Sequence, residues 1–376
     1  MPDRHQTADA VANALRFAPL ASLPAVMGFD GFVDEIIDVV GKRIAHDRYD
    51  RLPTIKEFAA RIDAAAGESS NFELVIKQRK LGGNGPIMAN ALAALGLPVT
   101  YIGTVGNPAG TGVDPVFDEF ARRATLIPLA PPAQTSALEF TDGKLMMGKL
   151  APLSQVTWER LLEAVGPAEL RRLFDESALL GLVNWTMLPH LTAIWRRAGS
   201  DLLATLPPRP RRLFIDLADP QKRQHDDLRE ALDVLTALNA HVAVTLGLNL
   251  SEAFQVATVL RLSPDTENPR APRDLAARIR EKLNLATVVI HPRHGAAAAT
   301  IQDAAAFPGP FVQHPLISTG AGDHFNAGFA LGELLGLPLE QALCLGTATS
   351  GYYVRHAASP TRDELATFLE NLPAPE

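Results

Sequence analysis

The chain has 376 residues, 47% of them hydrophobic, and 42 acidic against 35 basic side chains give a formal net charge of −7. That length suits one large α/β domain with an appendage or two modest domains, and the apolar fraction supplies a large core. Charges are mixed with no basic block, residues 1–10 are polar, and no apolar run could span a bilayer, which argues against nucleic-acid, secretory and membrane classes. A soluble cytoplasmic protein is expected. The single cysteine, Cys344, sits in an apolar helical pattern and has no partner within the chain for a disulfide.

In chain order, a leader helix is predicted over 8–17, ending at Pro19, followed by a buried strand over 24–28. Asp30, Asp34, Glu35 and Asp38 then crowd a run that otherwise reads as strand. Acidic residues are poor strand formers and costly to bury, so they mark either a solvated strand end or a carboxylate that accepts substrate hydroxyls. Residues 42–80 leave the sheet pattern: an amphipathic helix over 55–66, capped by Thr54 and stopped by Gly67, lies between strand-like runs at 38–44 and 73–79. Gly82-Gly83-Asn84 then opens an Ala/Leu-rich helix, and Asp142-Gly143 marks a hairpin turn within 135–148.

From about residue 151, helical pattern alternates with strand candidates at 178–183, 212–217, 241–246 and 287–291. That alternation predicts a parallel sheet covered on both faces. The proline- and arginine-rich stretch from Pro207 reads as a loop whose arginines cap a helix end or stay solvated. Asn249 and Glu252 have the spacing of a helix capping box. His291 and His294 lack the spacing and third ligand that a zinc site needs, and Arg293 between them reads as a loop arginine within reach of a phosphate.

The most informative stretch comes last. An extended run over 311–317 leads into Ser318-Thr319-Gly320-Ala321-Gly322-Asp323, after which Phe325, Phe329 and Leu331 mark a helical stripe ending near Gly336 and Pro338. A strand, a glycine-rich corner and a helix start aim backbone N–H groups and the positive helix end at an anion. Asp323 in the same turn would repel a resting phosphate. The combination makes sense for a phosphoryl group in flight, with the carboxylate accepting the proton of an attacking alcohol. The plain alternative is an acid decorating a helix start.

Residues 318–329 resemble the C-terminal signature of the PfkB/ribokinase family of carbohydrate kinases, and residues 81–96 resemble its N-terminal signature. The resemblance implies a ribokinase-like three-layer α/β/α fold with a mostly parallel central sheet and a small β-rich lid. The main domain would comprise 1–35, 81–133 and 151–376, with a lid of 36–80 and 134–150. It implies an ATP-dependent kinase acting on a sugar hydroxyl, with Asp323 as general base and the amides of Gly320, Ala321 and Gly322 as anion hole. Asp34 matches the family's sugar-gripping aspartate, with Asp30 its substitute in a shifted register, and Gly82, Gly83 and Asn84 would line the sugar pocket. Asn249, Glu252, Arg293, Gly295, Thr319 and Asn326 fall on the nucleotide side, Glu252 organising Mg²⁺ through water. Tyr352, Tyr353 and Arg355 either border the adenine or pack.

Three positions depart from the family pattern. Ile87 stands where the family has an asparagine, the 291–295 turn keeps only its final glycine, and Ile317 replaces an aspartate that supports a monovalent-cation site. The partners implied are a small sugar and ATP, with a homodimer through the lid as one assembly. A nucleoside acceptor, ADP as donor, and a sugar- or nucleotide-binding protein with little turnover are the rival readings. A dehydrogenase is disfavoured because 82–85 lacks a Gly-x-Gly-x-x-Gly turn.

Overall fold

The computed structural model describes residues 3–107, 112–263 and 271–376. The first half runs α1 (Arg4–Phe17), β1 (Ala25–Phe29), β2 (Phe32–Ala45), β3 (Arg48–Arg51), α2 (Ile55–Ala64), β4 (Leu74–Gly82), α3 (Asn84–Leu95) and β5 (Val99–Gly103). Two short strands, β6 (Gly106–Asn107) and β7 (Gly112–Val113), precede α4 (Asp118–Ala121), β8 (Thr125–Pro128), β9 (Ala133–Phe140) and β10 (Gly143–Lys149). Helices and strands then alternate: α5 (Trp158–Val165), α6 (Pro167–Glu176), β11 (Leu179–Leu182), α7 (Leu191–Arg197), β12 (Arg212–Asp216), α8 (His225–Leu238) and β13 (Ala243–Leu248). The last part comprises α9 (Leu250–Val259), α10 (Ala271–Leu283), β14 (Thr287–Ile290), β15 (Gly295–Thr300), β16 (Ala304–Pro308), α11 (Ala321–Leu334), α12 (Leu339–His356) and α13 (Arg362–Glu370).

Among the described residues, nine strands form one sheet in the order β16-β15-β14-β13-β12-β11-β1-β5-β8. Every neighbour pair from β14 to β8 is parallel, and β15 and β16 are added antiparallel at one edge. The parallel strands are short apolar runs because both faces are covered and successive side chains enter opposite layers. Val26, Leu180, Leu213 and Val288 face a core built with α5 to α10. Met27, Leu179, Phe214 and Val289 face the other, built with α1, α3 and α11 to α13. This is the three-layer architecture that the alternation predicts.

A second sheet, β10-β9-β2-β3 with β4 also on β2, is drawn from two stretches far apart in sequence. Its β2 pairs antiparallel with β4 and parallel with β9, so Lys80, Asp34 and Thr135 stand abreast on one face. The opposite face has its own apolar cluster of Ile37, Val39, Leu138 and Phe140, closed by Phe58 of α2. Phe58 stacks on Phe140 at 5.6 Å and meets Phe72 edge-on at 5.4 Å. Helix α2 therefore roofs this sheet. Thr54 caps it by accepting from Glu57 N, as its sequence pattern predicts.

The extended run expected over 311–317 is not a strand. The last strand, β16, ends at Pro308, and the chain continues irregularly to α11. Pro310 and Pro315 have no N–H to give a ladder, which defeats the apolar pattern. Arg211, from the proline-rich loop, donates to Asp175 O at the end of α6 and so serves as the helix cap anticipated for that stretch. Cys344 is buried, and burial pushes its thiol up to about 12. Among the described residues, no helix is long and apolar enough to cross a membrane.

Candidate active site

The polar residues of the interior gather at the C-terminal ends of adjacent parallel strands, where an open α/β sheet presents its crevice. Across β14, β13, β12, β11 and β1 the chain places His291, Asn249, Asp216, Asn184 and Asp30 just at or beyond the strand ends. Left-handed backbone at Asn184 (φ 63°), Ala218 (φ 55°) and Asp219 (φ 64°) marks the same edge. Non-glycine residues hold that conformation at a cost, and such positions concentrate at working sites.

Above this edge stands the glycine corner. Gly320 has φ +92°, a conformation that disfavours any side chain, and it is the cap residue of α11. Asp323 lies in the first turn, 7% exposed. Its Oδ1 accepts from Asn84 Nδ2 at 2.9 Å. Burial, then the charge of Asp216, raises the Asp323 carboxyl well above the usual range, with Asp30 and Glu252 acting in the same direction. Asp30 and Asp216 are themselves raised to about 6, and Glu252 to about 7, each mainly by burial.

Residues 82–84 connect three carboxylates. A Cβ at Gly82 would collide with the Asp34 carboxylate, and one at Gly83 would lie 2.7 Å from Asp30 Oδ2. Asn84, next in line, holds Asp323. Glycines are required here because the acidic groups occupy the space a side chain would need.

Two cavities meet at the corner. The smaller, about 380 Å³, is lined by Asn249, His291, Arg293, Gly295, Phe311, Ala321, Gly322 and the α12 residues Thr347, Ser350, Gly351 and Val354. The larger, about 910 Å³, opens under the second sheet between Asp34, Gln78, Lys80, Glu139 and Lys144 on one side and Ile317, Thr319, His324 and Tyr353 on the other. Gly322 lines the smaller and His324 the larger; Asp323, between them in the first turn of α11, is buried and lies on neither wall.

The structure separates residues that the sequence groups together. Asp34 lines the larger cavity, whereas Asp30 is fully buried, accepting from Gly85 N at 2.9 Å and Asn184 Nδ2 at 2.6 Å. Asp30 therefore anchors the start of α3 and is no substitute for Asp34 in touching a ligand. Lys80, Leu81 and Ile87, flanking 82–84, form cavity wall, while the trio itself touches the carboxylates.

Two residues expected on the nucleotide side lie off the smaller cavity's wall. Thr319 lines the larger cavity, its carbonyl accepting from Tyr353 OH at 3.0 Å. Asn326 is 1% exposed and donates to Asp216 Oδ2 at 2.8 Å. Three residues beyond Asp323 is one turn deeper along the helix, which takes Asn326 below the cavity floor. Tyr353 and Arg355 likewise stay off the smaller cavity's wall, Tyr353 stacking on His324 at 3.6 Å between ring centres.

Asn249 and Glu252 do make a reciprocal capping box. Glu252 Oε1 also accepts from Asp219 N at 2.9 Å, which fixes the carboxylate facing Asp216. Asn184 Oδ1 and Asn326 Oδ1 are buried without donors among the described residues. Mutually repelling carboxylates beside orphaned oxygens form a donor set that fits a hard, hydrated cation such as Mg²⁺. Among the described residues, no three acidic, histidine or cysteine side chains make a closed metal cage.

Asp216, Asn184 and Tyr101 carry no motif, and His324, inside the 318–329 signature, is assigned no role there; sequence reasoning misses all four. Tyr101 OH donates to the Asp30 carbonyl, and burial lifts the phenol well above its usual value. His324 Nδ1 contacts Gly320 O at 2.7 Å and Nε2 contacts Ser359 Oγ at 2.9 Å, with burial lowering the imidazole to about 4. For Asp216 and Asn184 the advance signal is polarity at the end of an apolar strand; Tyr101, mid-strand in β5, and His324, in α11, have none of that kind.

The family description of prokaryotic ketohexokinase matches residues 3–372. A ketohexokinase of Haloferax volcanii is 32% identical over 348 residues, covering 91% of this chain and 90% of that protein. Among solved structures, a ribokinase from Thermotoga maritima superposes with a TM-score of 0.61 at 17% identity, covering 93% of this chain and 99% of that one. Arabidopsis thaliana ribokinase complexed with ribose and ATP does so with a TM-score of 0.63 at 16% identity, with the same coverage. The fold is thus ribokinase-like: a mostly parallel sheet between helical layers, with a smaller sheet beside it.

Proposed function

This chain belongs to the prokaryotic ketohexokinase family and is a carbohydrate kinase, and from that premise we propose that it transfers the γ-phosphoryl group of ATP to a hydroxymethyl oxygen of a ketohexose. The observation that carries the residue assignment is the position of Asp323: a buried carboxylate in the first turn of α11, held by Asn84, whose neighbours Gly322 and His324 line the smaller and the larger cavity.

The nucleotide occupies the smaller cavity, with its phosphates toward Asn249 and the first turn of α11 and its base among the apolar residues of α12. The sugar occupies the larger cavity, where Asp34 accepts hydrogen bonds from two neighbouring hydroxyls and Lys80, across the strand from it, donates. Asp323 accepts the proton of the attacking hydroxyl, and the 320–323 amides stabilise the charge that develops on the moving phosphoryl group. Asn84 keeps the carboxylate aimed at that oxygen. The residues that would hold Mg²⁺, through its water shell, are Glu252 and Asp216; when bound, the ion offsets phosphate charge. The second sheet acts as a lid over the sugar, so that ATP hydrolysis without sugar is slow.

Arabidopsis ribokinase was captured with ribose and ATP, which supports ATP as donor on this fold. The matching relative is named a ketohexokinase, which supports a ketose as acceptor. The test is ADP release with ATP-Mg²⁺ and, separately, D-fructose, D-ribose and adenosine, with the product's phosphate position assigned by ³¹P and ¹³C NMR. Turnover with fructose well above the other two supports the proposal. Preference for adenosine, or no turnover with any of the three, overturns it.

A further inference from the structure

The segment from Pro308 to Pro315 forms one wall of the smaller cavity through Gly309, Pro310, Phe311, Val312 and Pro315. Its sequence, Pro-Gly-Pro-Phe-Val-Gln-His-Pro, puts three prolines in eight positions. Beyond Pro308, the last residue of β16, a stretch so short of N–H donors cannot continue as a strand, and its carbonyls must find donors elsewhere. Arg355 of α12 supplies them. Its Nη1 donates to Pro310 O at 2.7 Å and Gly351 O at 3.1 Å, and its Nη2 donates to Phe311 O at 3.2 Å. Glu376 braces the same segment from outside: its N–H donates to Phe311 O at 3.2 Å, and its carboxylate accepts from Gln313 N at 2.9 Å. The ring of Phe311 is backed by His294 at 4.1 Å.

Resting on the placement of the nucleotide in the smaller cavity, we propose that Arg355 is a positioning residue for ATP: its guanidinium fixes the 308–315 segment, and with it Phe311, as a preformed wall against which the nucleotide seats. Arg355 touches backbone carbonyls behind that wall and no residue assigned to the sugar. Losing the guanidinium leaves the Pro310 carbonyl without its donor and the Phe311 carbonyl with Glu376 N–H alone, and lets the wall loosen before nucleotide arrives. The binding then bears the cost of ordering it. The chemistry at Asp323 and the sugar contacts at Asp34 lie on other elements and stay as they are.

The experiment compares wild type, Arg355→Lys, Arg355→Met and Ser350→Phe, the last filling the smaller cavity from α12. The readouts are kcat, separate KM values for ATP and D-fructose, the Kd of ATP-Mg²⁺ without sugar, and Tm. For Arg355→Met the KM and Kd for ATP rise by about tenfold or more, the loss expected for charged hydrogen bonds, while kcat and the fructose KM hold. Arg355→Lys, which keeps one cationic donor, falls between. Unchanged ATP constants in Arg355→Met while Ser350→Phe blocks ATP would overturn the role of Arg355 and leave the cavity assignment standing. Unchanged ATP binding in Ser350→Phe would remove the cavity assignment and this proposal together. Parallel loss of both KM values and of Tm would show Arg355 to be merely structural, and would also overturn it.

Discussion

Replacing Asp323 by asparagine separates catalysis from folding because the two should move in opposite directions. Asparagine keeps the shape and an oxygen for Asn84 Nδ2, which now reaches Oδ1 at 2.9 Å, so the local geometry survives. It cannot accept the substrate proton. Loss of a positioned general base costs about 10²–10⁴-fold in kcat, or roughly 3–5 kcal/mol of barrier. Stability goes the other way. Burial first, and Asp216 second, hold the Asp323 carboxyl well above its usual range. For a carboxyl raised in the folded state, stability is full below the unfolded value and is lost as pH rises through the folded one. Asparagine has no proton to lose, so the ligand-free variant should melt at or above the wild-type temperature at pH 8. Coupled ADP-release kinetics and paired thermal melts at pH 8 measure both effects. A kcat within about tenfold of wild type would remove Asp323 from the role of base, and a variant that loses activity and melts several degrees lower would show that the carboxylate supports the fold instead.

Two further outcomes follow from the same geometry. Asp216 at about 6 and Glu252 at about 7 retain protons that the unfolded chain has released, so ligand-free stability should fall as pH rises from about 4 through 7. Asp216→Asn should flatten that slope by on the order of 1–3 kcal/mol in urea melts at pH 5 and 8, and an unchanged slope would contradict the burial argument. Phe58→Ala removes the ring that closes the second sheet's apolar cluster, a truncation of about 3–5 kcal/mol in a packed core. Early proteolysis within 32–82 and a raised fructose KM at constant ATP affinity are expected, and an equal rise in both KM values would argue against a lid function.

Short-range physics made much of this readable in advance. The strands at 212–217 and 287–291 were legible because parallel strands buried on both faces are continuous apolar runs. The cap at Thr54, the box at Asn249 and Glu252, and the corner at 320–323 were legible because each is a local hydrogen-bonding device. What stayed hidden depends on strand order. Asp30, Asn184 and Asp216 become neighbours because β1 inserts beside β11, an arrangement no nearby residue announces. Asp34 and Asp30 were separable only once β2 turned one toward the larger cavity and left the other beneath Gly83 and Gly85. Residues 311–317 were misjudged because apolar spacing outweighed the prolines that break the ladder, and Asn326 because one helical turn of depth is invisible in a motif.

The parallel pairing of β2 with β9, from Phe32 opposite Ala133 to Ile37 opposite Leu138, has a consequence for synthesis. As the polypeptide leaves the ribosome, one rim of β2 waits unsatisfied while about a hundred further amino acids are added, exposing backbone groups that a neighbouring nascent copy could capture. Fragments halted near residue 130 should therefore be stickier than either shorter or longer ones, and slowing elongation in that interval should lower soluble yield.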